Sequence, residues 1–230
     1  MTLKDLLYAY FSYPVIQLYV VLAAVALAVA LALHGNWAML ALILILSPLV
    51  YSLVEYFFHR YVLHNRTLYR HKATSAFWKR VHFDHHQDPS DFSVLFGDPK
   101  TTLPPIFVIA SPLGYVFNGY AGSAMAVFCG IVLTSAYEFC HLYQHLPYEP
   151  RSAYLRRLKK RHLAHHFHNE TGNFGITTHL WDVVFGTNYD SVRERPRSGT
   201  VRNLGYAGEE AARYPWVTEL GAARSTERTP

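Results

Sequence analysis

The stretch WAMLALILILSPLVYSLVEYFFHRYVLH, residues 37–64, decides the fold. Trp37 to Phe58 is an apolar run interrupted by Ser47, Pro48, Ser52 and Glu55, long enough to cross the roughly 30 Å of hydrocarbon in a bilayer. It closes on two histidines, His59 and His64. Just upstream, Val15 to Leu33 forms a run of 19 residues in which only Gln17 is strongly polar. The turn between the two runs, His34-Gly35-Asn36, is too short to hold a domain. An apolar run this long, followed at once by another, is not the pattern of a secretory signal peptide. Downstream, no charged residue occurs between Lys100 and Glu138, which predicts a second hairpin turning near Asn118-Gly119 or Gly122. Its first arm carries Pro104, Pro105, Pro112 and Gly114, which leaves open a re-entrant rather than a crossing arm over 103–120. With both arms crossing, the expected fold is an all-α integral membrane protein with four transmembrane helices in two hairpins.

Composition agrees. The 230 residues are 51% hydrophobic and 16% charged, against about 25% charged in an ordinary soluble domain. Cys129 and Cys140, the two cysteines, both fall in apolar sequence and cannot build a disulfide framework or a thiolate zinc site, which suits a reducing compartment. The net charge of +5 is explained by where the charges lie. Lys4 precedes the first span, and the other twenty Lys and Arg fall in 60–100 or after 150. The positive-inside rule then places both termini and the 60–100 loop in the cytoplasm, with the run Arg156-Arg157-Leu158-Lys159-Lys160-Arg161 facing headgroups. The membrane would be the inner membrane of a bacterium or the endoplasmic reticulum of a eukaryote. The basic charge thus reports topology and not nucleic-acid binding. After Asp190 the chain becomes rich in Arg, Glu and Gly, so residues 1–190 are read as the membrane-embedded domain and 191–230 as a polar, loosely ordered tail.

Ten of the fourteen histidines fall in four groups. His59 and His64 close the second span; His82, His85 and His86 lie in the following loop; His141 and His145 close the fourth span; His162, His165 and His166 follow the basic run. Each half of the chain repeats one layout: a hairpin, a pair, then a His-x-x-His-His trio. Helical residues three and four apart share a face, so His82 can converge with His85 or His86, and His141 with His145. His59 and His64 are five apart and converge only if the helix frays or bulges, or if they serve two metals. Ten neutral imidazoles supply about five nitrogens to each of two ions, leaving a position for dioxygen as a catalytic site requires. Imidazole suits iron, zinc and copper alike. Glu55 and Glu138 sit inside apolar helices, where a carboxylate needs a partner; each is expected to accept an imidazole N–H and fix its tautomer, with direct metal ligation or a structural hydrogen bond to a neighbouring helix as the alternatives. His34, His71, His168 and His179 lie outside the pattern.

These residues resemble the fatty acid hydroxylase superfamily, which includes sterol desaturases and sterol methyl oxidases. Glu55-Tyr56-x-x-His59-Arg60-x-x-x-His64 resembles its first box and His82-x-x-His85-His86 its second. His141-x-x-x-His145 and His162-x-x-His165-His166 resemble the third and fourth, and Asn173-Phe174-Gly175 with Leu180-Trp181-Asp182-x-x-Phe185-Gly186-Thr187 matches the ending. The resemblance covers roughly residues 37–190, and the Glu-Tyr and Phe-Gly-Ile-Thr-Thr motifs are closest to the fatty acid 2-hydroxylase branch. It implies a cytoplasmic, histidine-rich helical cap on the membrane helices and two iron ions at the ten histidines, sites that zinc can also occupy. It also implies O2-dependent hydroxylation of the acyl chain of a fatty acid or lipid, at C2 in that branch, with two electrons. Many eukaryotic members carry a fused cytochrome b5 domain; here a separate electron-transfer protein of cytochrome b5, ferredoxin or reductase type is expected. Desaturation begins with the same hydrogen abstraction, and carotenoid-ring hydroxylases use similar boxes, so a sterol or lipid desaturase or a carotenoid-ring hydroxylase is the alternative. A membrane metal-handling or haem-binding protein fits less well. A transporter places ligands near the bilayer midplane, whereas these lie at helix ends.

Overall fold

The side chain of Asn36 accepts from the backbone N–H groups of Ala38 and Met39 at 3.0 and 3.2 Å, starting the helix around which the molecule is arranged. The computed structural model describes residues 1–220 and contains helices and turns, with no β-strand among the described residues. A short helix α1 (Leu3–Phe11) leads into α2 (Pro14–Ala32) and, after the Asn36 cap, α3 (Trp37–Phe57), which runs on into a π-helical turn at Phe58–Leu63. Next come α4 (Thr67–Arg70), α5 (Lys72–Trp78), a second π turn (Lys79–Phe83), α6 (Asp84–Gln87) and α7 (Phe92–Leu95). The second apolar half contains α8 (Pro99–Pro105), a π turn (Ile106–Ala110) and α9 (Ser111–His145). Last are α10 (Ala153–Phe167), α11 (Leu180–Val184) and α12 (Glu209–Arg213).

Helix α9 is two limbs. Asn118 (φ −156°, ψ 37°) and Gly119 (φ 55°) leave helical geometry, and the chain folds back on itself there. Gly114 and Gly122 meet across the fold: a Cβ added to either would lie 2.2 Å from the other's carbonyl oxygen. The two hairpin turns are tied together, Asn36 N donating to Asn118 Oδ1 and Asn118 Nδ2 donating to Asn36 O, both at 3.0 Å. The turns therefore share one end of the bundle, and the histidines close the other.

Three stretches are long and apolar enough to cross a membrane: Pro14–Ala32, Trp37–Leu63 and the folded-back Phe92–His145. Their outer surface is apolar and bare, with Val21 59%, Ile45 73% and Val116 81% exposed, the surface of a membrane protein. Inside, the second limb of α9 packs against both α2 and α3. Ala30, Ala121, Ala126 and Cys129 let helices approach, and larger side chains such as Ile16, Tyr19, Ile131 and Leu142 fill the rest of the core.

Outside the three apolar stretches, residues 64–91 and 146–220 form a cap over the histidine end of the bundle, with its own small core of Tyr69, Trp78, Leu204, Tyr206 and Val217. This differs from the loosely ordered tail expected over 191–230. Val201, Leu204, Tyr206 and Val217 are buried, and Trp216 Nε1 donates to Tyr69 O at 2.8 Å; residues 221–230 lie outside the described residues. The apolar side chains after 200 are few and scattered, so they show no periodicity. Their notch, formed by Tyr69, Trp78 and Phe83, exists only once the cap has folded.

Candidate metal centre

The structure brings the ten histidines into two groups of five, and within each group the ligand nitrogens lie within 4.8 Å of one another. The first group is His59, His64, His82, His86 and His165; the second is His85, His141, His145, His162 and His166. Membership crosses the halves of the chain. Each trio gives its middle histidine, His85 or His165, to the other half's group.

The π turns explain how the pattern is satisfied. At Phe58–Leu63 the backbone N–H of His64 donates to His59 O at 3.2 Å, an i→i+5 bond that stacks residues five apart. This brings His59 Nε2 and His64 Nε2 to 3.3 Å. After the second π turn, His82 and His86 face the first group, and His85 is left to face the second. His64 Nε2 also lies 2.8 Å from His82 Nε2 and 3.1 Å from His165 Nε2. In the second group His145 Nε2 and His162 Nε2 are 2.8 Å apart.

One neutral imidazole carries one N–H and cannot satisfy three nitrogen neighbours. Nitrogens about 2.1 Å from a shared ion would lie roughly 3.0–3.4 Å apart, close to these spacings. Four rings turn Nδ1 toward a main-chain carbonyl: His59 to Phe174 O (2.5 Å), His86 to Val201 O (2.9 Å), His141 to Leu95 O (3.2 Å) and His165 to Gly172 O (2.8 Å). A carbonyl only accepts, so Nδ1 holds the proton and Nε2 presents its lone pair. Nε2 of His85, His86 and His166 is buried without a hydrogen-bond partner. Burial holds the cap imidazoles neutral: His86 and His165 are pushed down to about 3, and His64, His82, His85, His162 and His166 lie well below the ordinary histidine value. Neutral and converging, with Nε2 of three rings unpartnered, these donors fit bound cations of the borderline kind that imidazole prefers.

The two carboxylates do not meet imidazoles as the sequence suggested. Glu55 Oε1 accepts from the N–H of Ile176 (2.6 Å) and Thr177 (3.1 Å), and its Oε2 accepts from Thr177 Oγ1 (2.5 Å). Glu138 accepts from Gly97 N at 3.0 Å. Main-chain carbonyls are nearer the rings and take the imidazole protons instead, while the acids hold the segments that supply those carbonyls. Asp182, fully buried, joins Glu55: its Oδ1 accepts from Phe174 N (2.9 Å) and its Oδ2 from Gly175 N (2.8 Å). The role of the 173–187 ending is therefore to clamp a loop beneath His59 and His165. Gly175 is required there by close approach, since a Cβ would fall 1.9 Å from Thr178 O. Asn173, at φ 56°, clips Tyr189 through its side chain, accepting from Tyr189 N and donating to Tyr189 O at 2.9 Å each.

The basic run is divided. Arg156, Arg157 and Lys160 are exposed. Lys159 Nζ donates to Leu146 O and Tyr148 O at 2.7 Å each, and buried Arg161 pairs with Asp190 at 2.8 Å, so these two brace the cap rather than face headgroups. Among the four histidines outside the pattern, His168 Nε2 lies 2.8 Å from Arg195 O and the His179 ring lies tilted at 39° against Tyr154, centroids 5.3 Å apart.

Beside both groups lies a cavity of about 750 Å³, within the usual range for one ligand. His59, His82, His85 and His141 line it, together with Leu42, Val50 and Val54 of α3 and Ile109, Leu113 and Phe117 of the second hairpin. From Phe58 to Leu42 the groove follows α3 for roughly 24 Å, at about 1.5 Å per residue.

Residues 44–187 match the fatty acid hydroxylase family model, well over half of the chain. The chain belongs to the fatty acid hydroxylase family. Among its relatives within that family is a dihydroceramide fatty acyl 2-hydroxylase (FAH1) of Arabidopsis thaliana, 32% identical over 148 residues, which are 63% of this chain and 60% of the relative. A fatty acid 2-hydroxylase of Rattus norvegicus is 32% identical over 153 residues, 62% of this chain but 38% of the relative. A solved hydroxylase from the same family, described as full-length scs7p with only the hydroxylase domain visible, aligns with TM-score 0.67 at 26% identity, covering 78% of this chain and 66% of that one. The chain thus spans about 60% of the length of the plant relative and 38% of the rat one.

Proposed function

We propose that this chain is a membrane-bound, O2-dependent hydroxylase of fatty-acyl chains, with one iron ion at each histidine group. The observation that carries the reading is the long apolar cavity walled at one end by histidines of both groups. The relatives are named for 2-hydroxylation, which supports the carbon next to the acyl carbonyl as the point of attack. The iron pair, when bound, supplies the activation of dioxygen. One oxygen atom enters the C–H bond and the other leaves as water, with two electrons and two protons drawn from outside. The protein's residues do the rest. The ten imidazoles hold the ions without having to lose a proton. Val50, Val54, Leu113 and Phe117 admit an acyl chain lengthwise and keep water from its reacting end. Arg80, Asp98 and Thr102 line the cavity where it meets the cap, and there they receive the polar head.

In this reading the chain crosses the bilayer four times, in two hairpins, with both termini and the histidine cap in the cytoplasm. The distribution of Lys and Arg and the tied turns at Asn36 and Asn118 support it. Residues 1–190 form the hydroxylase unit, and the following segment fastens onto its cap. Comparative lipidomics of cells with and without the protein tests the reaction. A gain of one oxygen in an acyl chain is expected; loss of two hydrogens, or an unchanged lipidome, would overturn it.

A further inference from the structure

The two histidine groups touch through His86 and His166, one from each, whose ring centroids lie 4.2 Å apart at 33°. Both rings are fully buried, yet their cover is thin. Phe167 follows His166 directly; its ring is 6.4 Å from that of His166 and the residue is 42% exposed. The guanidinium of exposed Arg202 lies over Phe167, 4.7 Å from its centroid. Arg202 Nη1 donates to Gln87 O at 3.0 Å, Gln87 Nε2 donates to Arg202 O at 2.5 Å, and the adjoining Val201 O faces His86 Nδ1. Gln87, Phe167 and Arg202 thus form one solvent-facing patch over the place where the groups meet.

The patch is basic. The segment 195–202 carries exposed Arg197 and Arg202, while Arg195 turns away to Thr171 O and Thr187 O, and it is pinned beside Phe167 by Ser198 N donating to His168 O at 2.9 Å. Of the nearby acids, Glu170 is buried and bonded to Ser198 and Thr200, exposed Asp88 accepts from Ser90, and exposed Glu194 accepts from Ser191 N. On the membrane side the histidines face an apolar cavity, closed to any water-soluble protein.

We propose that this patch is the docking site of an acidic one-electron carrier protein, and the port through which electrons reach both metal positions by way of Phe167, His166 and His86. The proposal rests on the oxygenase reading. Each docking event oxidises the carrier by one electron and reduces one bound ion by one, and two events supply the two electrons of a turnover. One port serves both ions because His86 and His166 belong to different groups. Opposite charge on the carrier speeds its encounter and makes it salt-dependent.

The test uses the metal-loaded full chain in phosphatidylcholine nanodiscs. The probes are two acidic carriers, the soluble domain of cytochrome b5 and a plant-type [2Fe–2S] ferredoxin, with basic cytochrome c as control. An acidic carrier should bind and weaken with salt. Arg202→Glu and Arg197→Glu should each weaken it by about tenfold at low salt. Arg202→Lys and Lys72→Glu, the latter on α5, should bind as wild type, all variants keeping wild-type metal content and thermal unfolding. The proposal is overturned if neither acidic carrier binds, if Lys72→Glu weakens binding as much as Arg202→Glu, or if Arg202→Glu loses only attachment to phosphatidylserine vesicles. Dithionite-reduced single turnover separates the two readings. No oxidised lipid there defeats the oxygenase reading. Product there, with carrier binding untouched in Arg202→Glu, defeats the docking assignment alone.

Discussion

Replacing Glu55 by alanine should cost metal at the first histidine group and spare the second. Glu55 accepts three hydrogen bonds from Ile176 and Thr177, two of them from main-chain N–H groups. Those two donors would be left without their acceptor. A buried unpaired donor costs about 1–3 kcal/mol, so the loop should lose roughly 2–6 kcal/mol, nearer the lower figure where water enters. The same loop supplies Gly172 O and Phe174 O, the acceptors that orient His165 and His59. Both rings belong to the first group, so even about 2 kcal/mol carried into metal binding would weaken that position by roughly thirtyfold. Chelator competition, read as metal per chain alongside thermal unfolding, resolves the two positions. Parallel loss of both metals, or wild-type affinity in a chain that melts earlier, would refute the link from carboxylate to carbonyl to ring. Glu55→Gln, which keeps one acceptor oxygen, should fall between.

His85→Ala should empty the group built mainly by the second half of the chain, and His165→Ala the group built mainly by the first. Pairing His85→Ala with His141→Ala should therefore add little further metal loss, while pairing it with His59→Ala should remove both ions; the reverse order would defeat the crossed assignment. Gly175→Ala, whose Cβ would lie 1.9 Å from Thr178 O, should lower stability by at least about 1–3 kcal/mol in thermal unfolding, and an unchanged melting curve would contradict the close packing. Val50→Trp should shorten the preferred acyl chain by filling the groove beside α3, with metal content unchanged. An unaltered chain-length profile would show that the substrate does not use that groove.

Much of the metal site is local in sequence. Imidazoles at spacings of three and four share a helical face whatever surrounds them, so the pairs and trios declare themselves, as do apolar runs near twenty residues long. The turn at Asn118-Gly119 was legible too, because glycine tolerates the positive φ a reversal needs. What the sequence could not assign is partnership across space. The half-chain echo shows five histidines on each side, yet packing exchanges His85 and His165 between groups, since each trio spans more than one helical face and must serve centres on two sides. Glu55 and Glu138 announced themselves as buried acids, but which donor each meets depends on loops arriving from more than forty residues away, at 176–177 and at Gly97. The 195–217 segment shows no period because its few apolar side chains fill a notch made by other elements. Spacing along one helix belongs to the sequence alone. The crossing of the groups, the carbonyls that orient the rings and the cover over His86 and His166 are decided by tertiary structure, where chain-distant segments compete for the same buried hydrogen bonds.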